Sequence, residues 1–379
     1  MKIAYVHTGK WPSNSPSFTF VTNNAIALAS EFDECFLFVK NNSDKNSKEI
    51  VSENFDLAVP NNLFIERINC LSIINSNYFY YHKVNSKLKK LFSKNKIDVV
   101  ITRNPTFLKY LVKIKIKYKT KVFFETHDFY SNLKLRDDIN PAKKKHIEKI
   151  ENKYIPKLDG VICLQNSQKE LYEEKFQQTK IYLARTGLQK VNNINLEKNF
   201  VTYIGSLDKH KGVIQLIKAA ALTKSKPKLL IIGGKTKLEI ENIQKIVDKN
   251  YNKNSVKITG WVSKKELGEY LTKTAIGIVP LEETFFNKYL TSPLKLFDYF
   301  SFCIPVIATD LPTTRELIVE NKTGLFFQNI DELANRIDEL ILNPNKIDEM
   351  RNEIFIYAQK YLWINRAKEL REIFNFKSN

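Results

Sequence analysis

No run of eighteen apolar residues occurs in the 379-residue chain, which leaves no candidate for a membrane-spanning helix. Met1-Lys2 leads straight into Ile3-Ala4-Tyr5-Val6, a run stopped by His7, Gly9 and Lys10 and too short for a signal-peptide core. The expected location is the cytoplasm, or peripherally on the inner face of a membrane. Cysteine is scarce as well. Cys35, Cys70, Cys163 and Cys303 are scattered through apolar contexts with no Cys-x-x-Cys pair, which excludes a disulfide framework and disfavours a zinc site. Also missing are Gly-x-Gly-x-x-Gly after the first strand, a Walker loop, a Gly-x-Ser-x-Gly elbow and His-Glu-x-x-His. These absences argue against a dehydrogenase, a P-loop kinase, an α/β-hydrolase and a zinc protease in turn.

What is abundant is positive charge, net +19. Residues 1–200 carry +13 of it, and between Lys83 and Lys121 thirteen basic residues face one acid, Asp98. On charge alone this suits anionic lipid headgroups or nucleic acid, or a merely solvated lysine-rich surface. In a helix from Phe79, Lys83, Lys87, Lys90 and Lys94 form one stripe beside the aromatic run Tyr78-Phe79-Tyr80-Tyr81, and an anionic membrane surface is the expected partner. Nucleic acid rests on nothing but charge and is not expected to bind.

Hydrophobic content of 43% with 27% charged residues is that of a folded protein long enough for two α/β domains. Strand-length runs alternate with helical patterns. The first set is Ile3–Val6, Cys35–Val39, Asp98–Thr102, Lys121–Glu125, Gly160–Leu164 and Lys180–Leu183. After the polar stretch Gln189–Asn199 the pattern restarts with Phe200–Ile204, Lys228–Ile232, Val256–Thr259, Ala275–Pro280 and Pro305–Ala308. The reading is an α/β protein of two Rossmann-like doubly wound domains facing a cleft, at residues 1–193 and 194–360, with ligands at the carboxyl ends of the strands.

Two strand–loop–helix junctions of the second half place cations where a helix dipole disfavours them. One is Tyr203-Ile204-Gly205-Ser206-Leu207-Asp208-Lys209-His210-Lys211-Gly212. The other is Thr291-Ser292-Pro293-Leu294-Lys295-Leu296-Phe297-Asp298, with Ser292 as N-cap and Pro293 at the first helical position. A bound pyrophosphate reverses the preference, since helix amides and lysines both attract anions. Asp298, among apolar neighbours, needs donors, and a ribose diol supplies two. In the first half, Glu125-Thr126-His127-Asp128 ends a strand and reads as an acid/base pair, a metal site or a satisfied polar turn.

The stretches "YIGSLDKHKGVIQLIKAA" (203–220), "LLIIGG" (229–234), "ITGWVSKKELGEYL" (258–271) and "SPLKLFDYFSFCIPVIATDLPTTRELIVENKTGLFF" (292–327) resemble glycosyltransferase family 4, retaining enzymes of GT-B fold. The opening "KIAYVHTGKWPSNSPSFTFVTNNAIALA", then "DVVITRN", "VFFETHD", "LDGVICLQNSQKEL" and "IYLARTGL", extend the likeness, more loosely, into the first half, and "YLWINRAKELREIF" (361–374) resembles the family's terminal helix. The resemblance implies transfer of a sugar from a nucleotide-sugar donor to an acceptor hydroxyl, in synthesis of capsule, O-antigen or a related glycan. It implies no cofactor and no required metal, and a glycan or polyprenyl-diphosphate-linked acceptor. It puts Lys211 on the diphosphate, with Lys209 or Lys295 replacing an arginine usual at Ser206, and Asp298 on the ribose. The segment Gly260-Trp261-Val262 meets the base. Thr291, Ser292 and Leu294 border the donor, with Glu282 or Glu283 as weaker candidates, while the first acid of the family's pair falls on Leu290. His127 is the catalytic-site histidine. Ser15, Ser17 and Glu125 are placed on the acceptor side, and residues 361–379 form a helix crossing back to the first domain. A nucleotide-sugar epimerase of GT-B fold and a nonenzymatic membrane-bound scaffold are the alternatives.

Overall fold

A computed structural model describes all residues except 71–76, 95–96, 193–196 and 376–379, together with every described side chain but that of Lys209. The boundary expected between 193 and 194 therefore lies outside the described residues. The chain divides into two compact units. Unit 1 comprises Met1–Gly187, Tyr289–Ser292 and Trp363–Asn379, and unit 2 comprises Leu188–Lys288 and Pro293–Leu362.

Unit 1 is built on a seven-stranded sheet: β1 (Lys2–Trp11), β2 (Glu34–Asn41), β3 (Leu63–Ile68), β4 (Val99–Thr102), β5 (Lys121–Glu125), β6 (Gly160–Cys163) and β7 (Ile181–Leu183). The order is β3-β2-β1-β4-β5-β6-β7, with each neighbouring pair parallel. Chain direction across the sheet reverses between β1 and β4, so their carboxyl ends open a crevice. The helix Pro16–Glu31 starts cleanly because Ser15 caps it, its side chain accepting from the amide of Ser17, and Pro16 stands at the first position. Its Phe20 meets Trp363 edge to face at 5.2 Å. Trp363 opens the helix Trp363–Asn375, whose Phe374 lies 4.7 Å from Phe123 of β5. Fully burying an aromatic of this kind contributes about 1.5–3 kcal/mol, enough to anchor the helix to the sheet.

Unit 2 repeats the plan with six strands: β8 (Phe200–Ile204), β9 (Leu229–Ile232), β10 (Val256–Gly260), β11 (Thr274–Val279), β12 (Val306–Thr309) and β13 (Gly324–Phe327). They are ordered β10-β9-β8-β11-β12-β13, and the switch point falls between β8 and β11. The α/β fold class follows from these two parallel sheets. Sequence reading missed β3 and β13. Both are edge strands with one neighbour each, and β13 is only four residues long, too short to show alternation.

Local expectations need two corrections. The helix after Pro293 spans Leu294–Phe300 with Pro293 itself, extended at φ −71°, as its N-cap. Ser292 does not cap it, because its hydroxyl shares a 2.8 Å hydrogen bond with that of Thr186. In the helix Asn77–Lys94, Tyr80 and Tyr81 are buried and only Tyr78, 64% exposed, faces outward strongly. The aromatic run is therefore split between core and surface, as a helix requires of four consecutive residues. Lys83, Lys87, Lys90 and Lys94 are exposed as one stripe, although Lys87 pairs with Glu66 and Lys83 donates to the Asn69 carbonyl at 3.0 Å. Among the described residues no helix is long and apolar enough to cross a membrane.

Candidate functional site

In unit 2 the chain leaves β8 through Gly205, whose φ of +145° only glycine adopts easily. It passes Ser206 to Asp208, makes a tight turn over Lys209–Lys211, and enters the helix Val213–Leu222 at Gly212. A Cβ on Gly212 would lie 1.6 Å from the carbonyl oxygen of Pro280, so this glycine lets the loop after β8 close against the end of β11. Asn287 reinforces the closure, donating from Nδ2 to the carbonyls of Glu282 (2.8 Å) and His210 (3.2 Å).

Two lysines meet at this switch point. Lys295 Nζ lies 4.1 Å from the centroid of the Tyr203 ring and would stand 3.1 Å from a Cβ on Gly205. It is buried and has no hydrogen-bond partner among the described residues. The Tyr203 hydroxyl donates to the Ser206 carbonyl at 2.6 Å, which fixes the ring beneath it. Burial, and then the charge of Lys211, bring the Lys295 ammonium down to about 7. Lys211, 5.7 Å from the Phe286 ring, is lowered by burial, with Asp208 opposing. A buried ammonium without a paired anion is costly, so an anion beside Lys295 is the group this arrangement lacks.

The remaining expected donor residues of unit 2 surround the same strand ends. Ser206 contributes its carbonyl to Tyr203, and Leu294 is half-buried on the first turn of its helix. Lys209 sits in the turn, but its side chain lies outside the described residues. Gly260 ends β10 at φ +73° and bridges to Gly233. Trp261 follows it, 57% exposed, with Val262 half-buried beyond. Asp298 is half-buried and held by Lys264 Nζ at 2.5 Å. Glu282 pairs with His210 and Glu283 with Lys288. Thr291 and Ser292, expected beside Lys295, belong to unit 1 with the buried Leu290. There the Thr291 carbonyl accepts from Gln165 Nε2 at 2.9 Å.

Unit 1 presents a second cluster, at the carboxyl ends of β1, β4 and β5. Glu125 is 0% exposed. Its Oε1 accepts from the Tyr5 hydroxyl at 2.7 Å and meets His127 Nε2 at 2.8 Å, and its Oε2 accepts from Arg366 Nη2 at 2.6 Å. Burial alone would raise this carboxyl, yet Arg366 and then His127 hold it down at about 2. His127 stands edge-on to Phe20 at 4.7 Å. Burial and the charge of Arg103 lower it to about 4, against the pull of Glu125. It is neutral near pH 7, and with Nε2–H turned to Glu125 its Nδ1 is an acceptor. Asp128 is committed instead to Arg136. Ser15 and Ser17 lie at the start of the helix Pro16–Glu31, their hydroxyls 2.9 Å apart. Among the described residues, no three His, Cys, Asp or Glu side chains are placed to hold a metal ion.

Tyr5, His7, Arg103 and Arg366 escaped sequence reading. Each lies in a stretch that carries the family resemblance but has no chemistry legible from its neighbours in the chain; the register of β1 against β4 and the return of the helix Trp363–Asn375 bring them together.

Residues 185–361 match the family model described as "Glycosyl transferases group 1". A Dictyostelium discoideum protein named chitobiosyldiphosphodolichol beta-mannosyltransferase is 22% identical over 270 residues, which cover 70% of this chain. The matched part spans about half (53%) of that relative's length. Among solved structures, sucrose-phosphate synthase from Thermosynechococcus elongatus superposes with a TM-score of 0.76 at 16% identity, covering 98% of each chain. Anabaena HepE, solved in complex with UDP and glucose, gives 0.73 at 13% identity, again over 98% of each. At such identities the likeness establishes the fold, GT-B.

Proposed function

We propose that this chain, whose residues 185–361 match the glycosyl transferases group 1 family, moves a sugar with retention from a nucleoside diphosphate donor to an acceptor hydroxyl. The observation that carries this reading is the pair Lys211 and Lys295, two half-buried cations that meet at the β8/β11 switch point, the Lys295 ammonium buried with no hydrogen-bond partner among the described residues. A diphosphate supplies the missing charge. As the glycosidic bond breaks, negative charge grows on the leaving phosphate, and lysines fixed beforehand in a partly dry site stabilise that charge more than they stabilise the ground state. The acceptor oxygen then bonds to the anomeric carbon on the face the phosphate leaves, and its hydroxyl proton passes to the departing phosphate oxygen. Asp298 holds the ribose after exchanging Lys264 for its hydroxyls, and Trp261 with Gly260 and Val262 borders the base.

In unit 1, His127 is the proposed catalytic group, its Nδ1 accepting a sugar hydroxyl while Glu125 fixes the ring. No metal is required in this account, since lysines do the work that a cation does elsewhere. The acceptor is a glycan or a polyprenyl-diphosphate-linked sugar of a bacterial surface polysaccharide. The dolichol-diphosphate substrate in the name of the Dictyostelium relative supports a lipid-linked acceptor. The basic stripe Lys83, Lys87, Lys90 and Lys94 supports docking on the inner face of an anionic membrane. A thermal-shift screen over UDP-, GDP- and CMP-sugars tests the reading, because a ligand of the native state raises the midpoint. No rise with any nucleotide would overturn it.

A further inference from the structure

The register of unit 1 pairs Val6 of β1 with Thr102 of β4. The next residues, His7 and Arg103, therefore emerge side by side at the carboxyl edge, where the strand order reverses. The β1/β2 register shifts between Val6 and Lys10, which opens the backbone at this point. Arg103 has five N–H donors, yet it makes no hydrogen bond among the described residues, and its Nη1 is buried without a partner. It stacks over Phe20 at 4.8 Å, on the second turn of the helix Pro16–Glu31. His7 is 7% exposed, and neither of its ring nitrogens has a partner.

Glu125 feels the charge of Arg103 but makes no hydrogen bond with it, and already serves Tyr5, His127 and Arg366. The first turn of the helix Pro16–Glu31 carries no acid either, and its dipole adds positive potential. Among the described residues, two guanidinium groups, Arg103 and Arg366, act on the single carboxylate Glu125. Phosphate, with three terminal oxygens, suits a planar fork beside an imidazole and takes more donors than a carboxylate does.

We infer that Arg103, with His7 beside it, is the receptor in unit 1 for a phosphate or diphosphate group of the second substrate, separate from the donor's own diphosphate. The inference rests on the acceptor reading of unit 1, and it adds the residue and the chemistry by which that acceptor is held. Arg103 stays unpaired in the free protein because the substrate is its partner. Such a residue is retained against stability, as groups at binding sites commonly are.

Calorimetric titration of the full chain tests this. The ligands are inorganic pyrophosphate, geranyl diphosphate and glucuronate, added to protein already saturated with UDP or GDP. Arg103→Gln should weaken pyrophosphate at least tenfold, Arg103→Lys should keep it within a few-fold, and glucuronate should bind weakly to both. Geranyl diphosphate binding tighter than pyrophosphate, and equally sensitive to Arg103→Gln, identifies a lipid-linked source. Equal affinities identify a receptor for the diphosphate alone. The thermal midpoint of Arg103→Gln should stay level or rise, since no hydrogen bond is lost. Unchanged pyrophosphate binding in Arg103→Gln, or glucuronate bound in its place, would overturn the inference. So would a parallel loss of nucleotide affinity, which would assign Arg103 to the donor. Failure of the wider reading looks different: wild-type protein would then bind no nucleotide, whatever Arg103 does.

Discussion

Arg366, on the last described helix, donates from Nη2 to Oε2 of Glu125 at 2.6 Å, and both side chains are almost wholly buried. The same guanidinium reaches Asn24 Oδ1 at 3.0 Å and the carbonyls of Ala184 and Arg185. The helix Trp363–Asn375 is thus bonded to the strand end that carries Glu125 and His127. Removing one partner of such a pair strands the other charge in the interior. Arg366→Ala should therefore cost about 3–5 kcal/mol in urea unfolding of unit 1. The carboxyl is held at about 2 against an ordinary 4.5. Its stabilising contribution is complete above pH 4.5 and is lost as pH falls through about 2. A wild-type acid transition that Glu125→Gln leaves unmoved would show that the pair does not anchor the unit.

Lys295 yields a prediction of opposite sign. Its ammonium is held near 7 against an ordinary 10.5, so between those values the unfolded chain binds the extra proton. Stability contributed by this site rises as pH climbs from about 7 towards 10.5. Lys295→Met should raise the midpoint at pH 6.5 and flatten this dependence. An anion beside Lys295 favours its charged form, so nucleotide binding should take up a proton near pH 8 and weaken as pH rises further. Calorimetry in buffers of different ionisation enthalpy reads the proton directly. No uptake would separate Lys295 from the nucleotide.

How much of this was legible beforehand differs between the two units. Lys211, Lys295 and Asp298 sit at strand–loop–helix junctions whose glycines, prolines and charges stand close together in the chain, so sequence alone assembles most of that cluster. Arg103, His7 and Arg366 come from separate segments. Arg103 follows an apolar strand and resembles any polar residue at a strand end, and Arg366 lies 241 positions from Glu125. Thr291 shows the opposite limit. It stands four residues before Lys295, but a hydrogen bond to Gln165, 126 positions away, decides its surroundings.

Asp298 is engaged by Lys264 in the free protein. If a ribose diol replaces that lysine, Asp298→Ala should weaken UDP or GDP by about 1–3 kcal/mol while sparing the 2′,3′-dideoxy nucleotide. Lys264→Ala should leave ribonucleotide binding level or slightly stronger, because no ion pair has to be broken. Equal losses for both nucleotides with Asp298→Ala would give the acid a structural role.

The exposed stripe of the helix Asn77–Lys94 predicts salt-sensitive sedimentation with anionic vesicles. Each lysine near such a surface contributes about 1 kcal/mol. Changing Lys83, Lys87, Lys90 and Lys94 to Glu should abolish binding in about 0.15 M salt, where screening leaves only close contacts effective. A quadruple variant that sediments like wild type would leave the stripe as plain surface.

Whether Lys211 and Lys295 together hold a nucleoside diphosphate is decided by titrating UDP and GDP into wild type, Lys211→Ala and the double variant Lys211→Ala/Lys295→Met at pH 6.5. One nucleotide should bind wild type, and Lys211→Ala should weaken it by roughly 1–3 kcal/mol, as loss of a charge-assisted contact does. The double variant should bind more weakly still, with thermal midpoints in the absence of ligand no lower than wild type. Affinity that is the same in all three proteins would contradict it.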